Sequence, residues 1–195
     1  MPLTPLDYIS HPKYEGALPR LGESRSLAVM NKLLSRRAFS VFTKWRHVKE
    51  IRRVLLAENI LSDFTLKLLP TLKPLAFMHD GGTLSLSLGL LLTRTPWVVL
   101  SVYLHELAHI WLAGEDNYPD VKALAREVKR LIPTHPLGDR ISPIELYADT
   151  VTLAMLEALD GTTVHPVYQK RLERLISERR DRIAAVEDAL GEVGT

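Results

Sequence analysis

The 195-residue chain contains no cysteine. This absence excludes a disulfide framework and any metal site that is built on thiolates. A bound zinc ion would therefore have to be held by imidazole and carboxylate groups. The same absence favours a cytoplasmic location, because disulfides belong to oxidising compartments.

The chain also lacks an apolar segment typical of export or membrane insertion. Residues 1–25 intersperse prolines with charges and show no signal-peptide pattern. The most apolar run, Leu84 to Leu104, is interrupted by Arg94 and Pro96, whereas a membrane-spanning helix needs about 20 apolar residues. We therefore expect no secretion signal and no transmembrane segment.

Acidic residues are scarce in one part of a chain whose formal net charge is only +2. Residues 20–53 contain ten lysines and arginines but only Glu23 and Glu50 as acids. Apolar residues at helical spacing predict one or two amphipathic helices over residues 26–57. We favour the interpretation that the basic side chains form the solvated face of helices that pack on the rest of the protein. The alternative is that they contact an anionic membrane surface or nucleic acid.

The hydrophobic period changes after Asn59. Residues 65–69 and 75–79 read as short strands, residues 80–82 as a hairpin turn, and residues 83–88 as an alternating strand. Helical patterns follow at residues 98–112, 120–131, 142–159 and 167–190. The fold class expected is α+β, with a basic N-terminal helical extension over residues 1–60 and a domain over 61–195 that holds a small antiparallel or mixed sheet.

Residues 105–109 read His-Glu-Leu-Ala-His. On a helix, His105 and His109 lie one turn apart on the same face, where both imidazoles can bind one Zn²⁺, and Glu106 lies beside them to transfer a proton. The flanking residues are apolar nearly all round, which predicts a buried helix. Buried imidazoles need a metal or hydrogen-bond partners, so the alternative is a pair of core histidines bonded to the backbone.

A catalytic zinc site needs a third protein ligand and an open position for water. Glu145, in the segment Ile-Glu-Leu-Tyr-Ala-Asp, is the candidate, although Ser142 and Glu145 also match a capping box. Asp149 lies one turn after Glu145, where it can accept the second ring N–H of a zinc-bound histidine. The alternative is that Asp149 is a solvent-exposed charge on the surface of the helix.

Together, HELAH and ELYAD resemble the gluzincin metallopeptidases, and within them most closely the HtpX-type and CAAX prenyl protease-type group. Three stretches carry the resemblance: residues 80–91, with a glycine turn and strand, residues 98–110, with the motif helix, and Thr163-Val-His165-Pro, followed by Arg171 and Leu175. The match covers roughly residues 74–176, whereas residues 1–60 resemble nothing we can name. Those peptidases are often embedded in membranes or exported, so their substrates do not transfer to this chain.

The resemblance implies a zincin-like α+β metallopeptidase domain that binds Zn²⁺ through His105, His109 and Glu145. It also implies that Glu106 is the general base, that Asp149 orients a ligand, and that His165 and Arg171 lie near the cleft. His165 would donate to the oxyanion or occupy the fourth zinc position, or it is a turn residue before a proline. The alternative role for Arg171 is a solvated charge on the helix surface.

The function expected is peptide-bond hydrolysis of a peptide or protein substrate, which would add as a strand to the sheet edge formed by residues 83–88. One alternative is a regulatory protease that cuts a single partner. Another is a non-enzymatic module whose site holds zinc structurally or holds nothing, and whose residues 20–57 bind nucleic acid, an anionic membrane surface or a partner protein. The sequence indicates neither the substrate nor the oligomeric state.

Overall fold

The fold, given by a computed structural model, is mixed α+β and mostly helical. The structure describes residues 25–35, 40–61, 63–79, 82–113, 122–123, 125–126, 142–160 and 166–193. Its elements are α1 (Ser26–Ser35), α2 (Val41–Ala57), β1 (Thr65–Leu69), β2 (Ala76–His79), β3 (Thr83–Ser87), α3 (Leu88–Thr93), α4 (Pro96–Ala113), α5 (Pro143–Asp160) and α6 (Pro166–Val193). The helix predicted over residues 120–131 lies almost entirely outside the described residues.

Helices α1 and α2 confirm the amphipathic pattern predicted over residues 26–57. Helix α2 begins after Ser40, whose Oγ accepts a hydrogen bond from the Thr43 N–H at 3.2 Å, and this satisfies one of the free donors of the first turn. The apolar faces of both helices join a hydrophobic cluster that includes residues of α4 and α5. The core is therefore continuous across residue 60, and the proposed division at that residue stays a prediction.

The three strands form a small mixed sheet in the order β1-β3-β2. Strand β3 runs parallel to β1, with Thr65 opposite Thr83, and antiparallel to β2, with His79 opposite Thr83. The predicted strand positions are confirmed, but the prediction that residues 83–88 form a sheet edge is wrong. Strand β3 is the central strand because β1 and β2 occupy its two sides, so a peptide cannot pair with it.

Helix α3 follows β3 directly and anchors the loop between β1 and β2. Ser87 Oγ accepts hydrogen bonds from the Leu90 N–H at 3.0 Å and from the Leu75 N–H at 2.9 Å. The Gly89 N–H donates to the Thr71 carbonyl at 2.8 Å. A Cβ atom at Gly89 would lie 2.1 Å from the Leu72 carbonyl oxygen, so the close approach of this loop requires glycine.

Helix α4 is the buried centre of the molecule, as its apolar sequence predicts. It packs against α5 and against strand β2, and α5 packs in turn against α6. The motif residues 105–109 therefore lie between two helices and the end of a sheet. Among the described residues, no helix is both long enough and apolar enough to cross a membrane.

Candidate metal centre

The two motif histidines of α4 and Glu145 of α5 meet at one point. His105 Nε2 lies 3.2 Å from His109 Nε2 and 3.2 Å from Glu145 Oε2, and His109 Nε2 lies 3.3 Å from Glu145 Oε1. Ligand atoms bound tetrahedrally to zinc at about 2.0 Å are about 3.3 Å apart. The two imidazole nitrogens thus have the spacing of two zinc ligands, and one ligand atom from each of the three residues lies within 4.8 Å of the other two.

The position of Glu145 bears on its two predicted roles. It lies in the first turn of α5, where a capping box would turn its carboxylate back towards the Ser142 N–H. Instead, each of its two oxygens lies within 3.3 Å of an imidazole nitrogen. This geometry favours a ligand role over a capping role.

Asp149 is almost completely buried, and its Oδ1 lies 2.9 Å from His105 Nδ1. A carboxylate at this position accepts the Nδ1–H and leaves the lone pair of Nε2 facing His109 and Glu145. The alternative prediction, a surface charge, is wrong because the helix buries this side chain between α4 and α6.

Two arginines of α6 complete the site, and the sequence reading missed both. Arg179 donates from Nη1 to Asp149 Oδ1 and from Nη2 to Ser101 Oγ at 3.0 Å, and its Nη1 lies 3.3 Å from His105 Nδ1. Arg182 Nε lies 2.6 Å from Asp149 Oδ2. Both arginines thus compensate the charge of a carboxylate that would otherwise be costly to bury.

A signal for Arg179 was present in the pattern of α6. The apolar stripe of this helix runs through Leu172, Leu175, Ile176, Ile183 and Val186. Position 179 belongs to the same stripe by its helical spacing, yet it carries an arginine that is buried in the structure. A charged residue at an apolar position indicates a buried partner.

The charges of the site are set by competition between burial and hydrogen bonding. Burial alone would raise the pKa of Glu145, but hydrogen bonds to His105 and His109 hold it well below its usual range. Burial alone would lower the pKa of His105, but its hydrogen bonds to Asp149 and Glu145 reverse this and raise the pKa. A metal ion and a proton compete for Nε2 of His105, so metal binding is favoured by higher pH.

Glu106 lies beside the three groups at the wall of an open cleft. The cleft has a volume of about 450 Å³, and it is lined by Ala76, Phe77, Met78, His105, Glu106, His109, Ile144 and Glu145. Burial raises the pKa of Glu106, and a hydrogen bond from the Met78 backbone N–H opposes the shift slightly. A carboxyl group with a raised pKa is suited to exchange a proton near neutral pH.

Among the described strands, β2 has no partner on the side away from β3, and its residues 76–78 line this cleft. The Ser87 N–H donates to the Leu75 carbonyl at 2.9 Å, which makes these opposite residues a hydrogen-bonded pair. Such pairs alternate along an antiparallel ladder, so the backbone groups of Ala76 and Met78 point away from β3. The edge that faces the cleft is therefore β2.

The structure does not bring Arg171 to this cleft. Its guanidinium lies 4.3 Å from the ring centroid of Trp97, and its Nη1 lies 3.3 Å from the Leu34 carbonyl oxygen. Trp97 is in the first turn of α4, about two turns before His105. Arg171 thus joins α6 to the start of α4, and its placement does not support a catalytic role.

His165 lies outside the described residues.

Several cations of the basic segment 20–53 are engaged within the protein. Lys44 is buried and donates to the carbonyls of Leu91 and Arg94, both at 2.6 Å, which closes the end of α3. Arg52 donates from Nε to the Phe64 carbonyl at 2.7 Å. Arg25 pairs with Glu58 at 2.8 Å. The exposed face of α2 retains Arg46, Lys49 and Arg53.

No family model, no curated protein and no solved structure matches this chain. The resemblance to gluzincins accordingly depends on the motifs and on the geometry of the groups that they carry.

Proposed function

We propose that this chain is a zinc-dependent metallopeptidase of the gluzincin type, with a zincin-like domain, that hydrolyses peptide bonds. The observation that carries the proposal is the meeting of His105, His109 and Glu145, whose candidate ligand atoms all lie within 4.8 Å of one another. Two imidazoles and one carboxylate form a ligand set that catalytic zinc sites use.

The residues present fit a zinc ion and the chemistry that it supports. When bound, zinc supplies Lewis acidity, which acidifies water and polarises a carbonyl group. Glu106 takes the proton of the attacking water and delivers it to the leaving amine. Asp149, held by Arg179, keeps the proton of His105 on Nδ1 and its Nε2 free for the metal.

The open cleft supports a catalytic rather than a structural role for the metal. In the part of the chain that the structure describes, three groups are placed to bind one ion, and they lie at the wall of a cleft of about 450 Å³. Structural zinc sites usually have four protein ligands and no access for substrate. This difference favours an enzyme over a non-enzymatic zinc module.

The substrate backbone would lie along strand β2. The backbone groups of Ala76 and Met78 that point away from β3 line the cleft that contains Glu106, and an extended peptide can pair with such an edge. The substrate class is therefore an extended peptide or an unfolded segment of a protein. The cytoplasmic location remains part of the proposal, and it depends on the lack of cysteine.

The proposed function is tested by replacing the general base, Glu106. Glu106→Gln is expected to bind one equivalent of zinc and to lose hydrolysis by about 10²–10⁴-fold, because the amide cannot accept the proton. Activity is measured on a library of unfolded peptides, and zinc is measured by elemental analysis. Glu157→Gln, on the exposed side of α5, is the matched control and should retain activity. Full proteolysis by Glu106→Gln would refute the mechanism, and a wild-type chain that binds no zinc would refute the function.

A further inference from the structure

Three leucines are exposed on α3 and on the loop between β1 and β2. Within the described residues, Leu72 is 73 % exposed, Leu92 52 % and Leu75 43 %. A group of exposed leucines on neighbouring segments indicates an interaction site. We call these three residues the leucine surface.

The backbone beneath the leucine surface is fixed. Thr71 accepts a hydrogen bond from Gly89 at 2.8 Å, and the Ser87 N–H donates to Leu75 at 2.9 Å, so the loop that carries Leu72 and Leu75 lies on the start of α3. Leu92 follows Gly89 by one turn and lies on the same helix face. The leucines are thus presented together, and a partner need not order the loop in order to bind them.

The exposed charged residues of β1, of the β1–β2 loop and of the end of α3 are all basic. They are Lys67, Lys73 and Arg94. The sequence contains no aspartate or glutamate at residues 64–79 or 81–105. Leucines flanked by cations, without acids, match the boundary of an anionic bilayer, where apolar side chains enter the acyl region and cations meet lipid phosphates.

We propose that the leucine surface docks this protein on an anionic membrane. Leu72, Leu75 and Leu92 enter the headgroup boundary, while Lys67, Lys73 and Arg94 contact the lipid phosphates. This surface is carried by α3 and the loop between β1 and β2, whereas the basic segment comprises residues 20–53. The proposal does not depend on the metal centre or on peptidase activity.

The test measures sedimentation of the full chain with vesicles. Binding is expected to vesicles of equal parts phosphatidylglycerol and phosphatidylcholine but not to pure phosphatidylcholine, and it should weaken as salt is added. The double variant Leu72→Ser/Leu92→Ser should bind the anionic vesicles at least about tenfold more weakly, because two inserted side chains are lost. A second variant, Lys67→Gln/Lys73→Gln, should also bind more weakly and lose part of the salt dependence.

Phe42→Ser is the matched control, because Phe42 is 74 % exposed on α2 and lies outside the leucine surface. Its binding should equal that of the wild type. The proposal is overturned by a wild type that does not bind anionic vesicles, by an undiminished double leucine variant, or by an equal loss in Phe42→Ser. It is also overturned by a dimer, formed without vesicles, that the double leucine variant converts to a monomer. Zinc content has no bearing on any of these outcomes.

Discussion

At the scale of single residues, the metal centre depends on a carboxylate that is buried between opposite charges. Asp149 contacts His105, Arg179 and Arg182 at once, so three helices meet at one side chain. A buried charge of this kind is stable only while its partners remain. The contribution of each partner to the free energy of unfolding can therefore be measured by replacing that residue.

Arg179→Met should destabilise the protein by about 3 kcal/mol, because it leaves Asp149 with an uncompensated part of its buried charge. Arg180→Met is the matched control: Arg180 is exposed and pairs with Glu157 at 2.7 Å, and loss of an exposed pair costs about 1 kcal/mol or less. The free energy of unfolding in urea measures both. Equal losses in the two variants would mean that the buried contacts of Arg179 add no more stability than an exposed ion pair does.

The raised pKa of His105 makes the stability of the metal-free protein depend on pH. A histidine whose pKa is raised on folding stabilises the folded state below its unfolded pKa of about 6.5, and this stability is lost as the pH rises through the folded value. Urea unfolding in the presence of a chelator should therefore show stability falling above about pH 6.5. His105→Gln should remove this slope, and a wild type that gains stability over the same range would contradict the assignment.

At the scale of the elements, alternation and motif spacing predicted the positions of the strands and of α4, but not the order of the strands. The run Thr-Leu-Ser-Leu-Ser at residues 83–87 alternates as a strand with one solvated face. In the structure, Ser85 and Ser87 are buried, because Ser87 binds two backbone N–H groups and Ser85 contacts His79. Short polar side chains with local partners can be buried, and periodicity alone does not reveal this.

Replacement of Gly89 tests the anchor between α3 and the β1–β2 loop. Alanine normally favours a helix by about 1 kcal/mol over glycine, but here its Cβ would lie 2.1 Å from a backbone oxygen of Leu72. We expect Gly89→Ala to lower the free energy of unfolding by about 1–3 kcal/mol, as overpacking does. Leu92→Ala, on the exposed side of the same helix, should change it by less than about 0.5 kcal/mol. An alanine variant that is as stable as the wild type would show that the β1–β2 loop moves to accommodate the added Cβ atom at no cost in stability.

At the scale of the whole molecule, the basic N-terminal segment is part of the core. Met30, Leu33 and Leu34 of α1 are fully buried, and α1 contacts α4, α5 and α6. The division at residue 60 follows the change of hydrophobic period after Asn59, the basic charge and the reach of the family motifs, and none of these properties reports packing. The sequence revealed the amphipathic helices themselves, but the partner of their apolar faces is a long-range property that no local pattern encodes.

A chain that begins at residue 61 tests this packing directly. We expect it not to unfold cooperatively in urea, because removal of α1 and α2 exposes the apolar face of α4 to water. Far-UV circular dichroism and the urea transition of the truncated chain measure the effect. A truncated chain that unfolds cooperatively and binds zinc would support an independent domain over residues 61–195.

The Met78 backbone N–H favours the charged form of Glu106, and Met78 lies in β2 at the wall of the same cleft. Under the proposed function, a peptide paired along β2 would compete for this N–H through one of its own carbonyls. Loss of the contact would raise the pKa of Glu106 further. Occupancy of the cleft and the basicity of Glu106 would then be coupled.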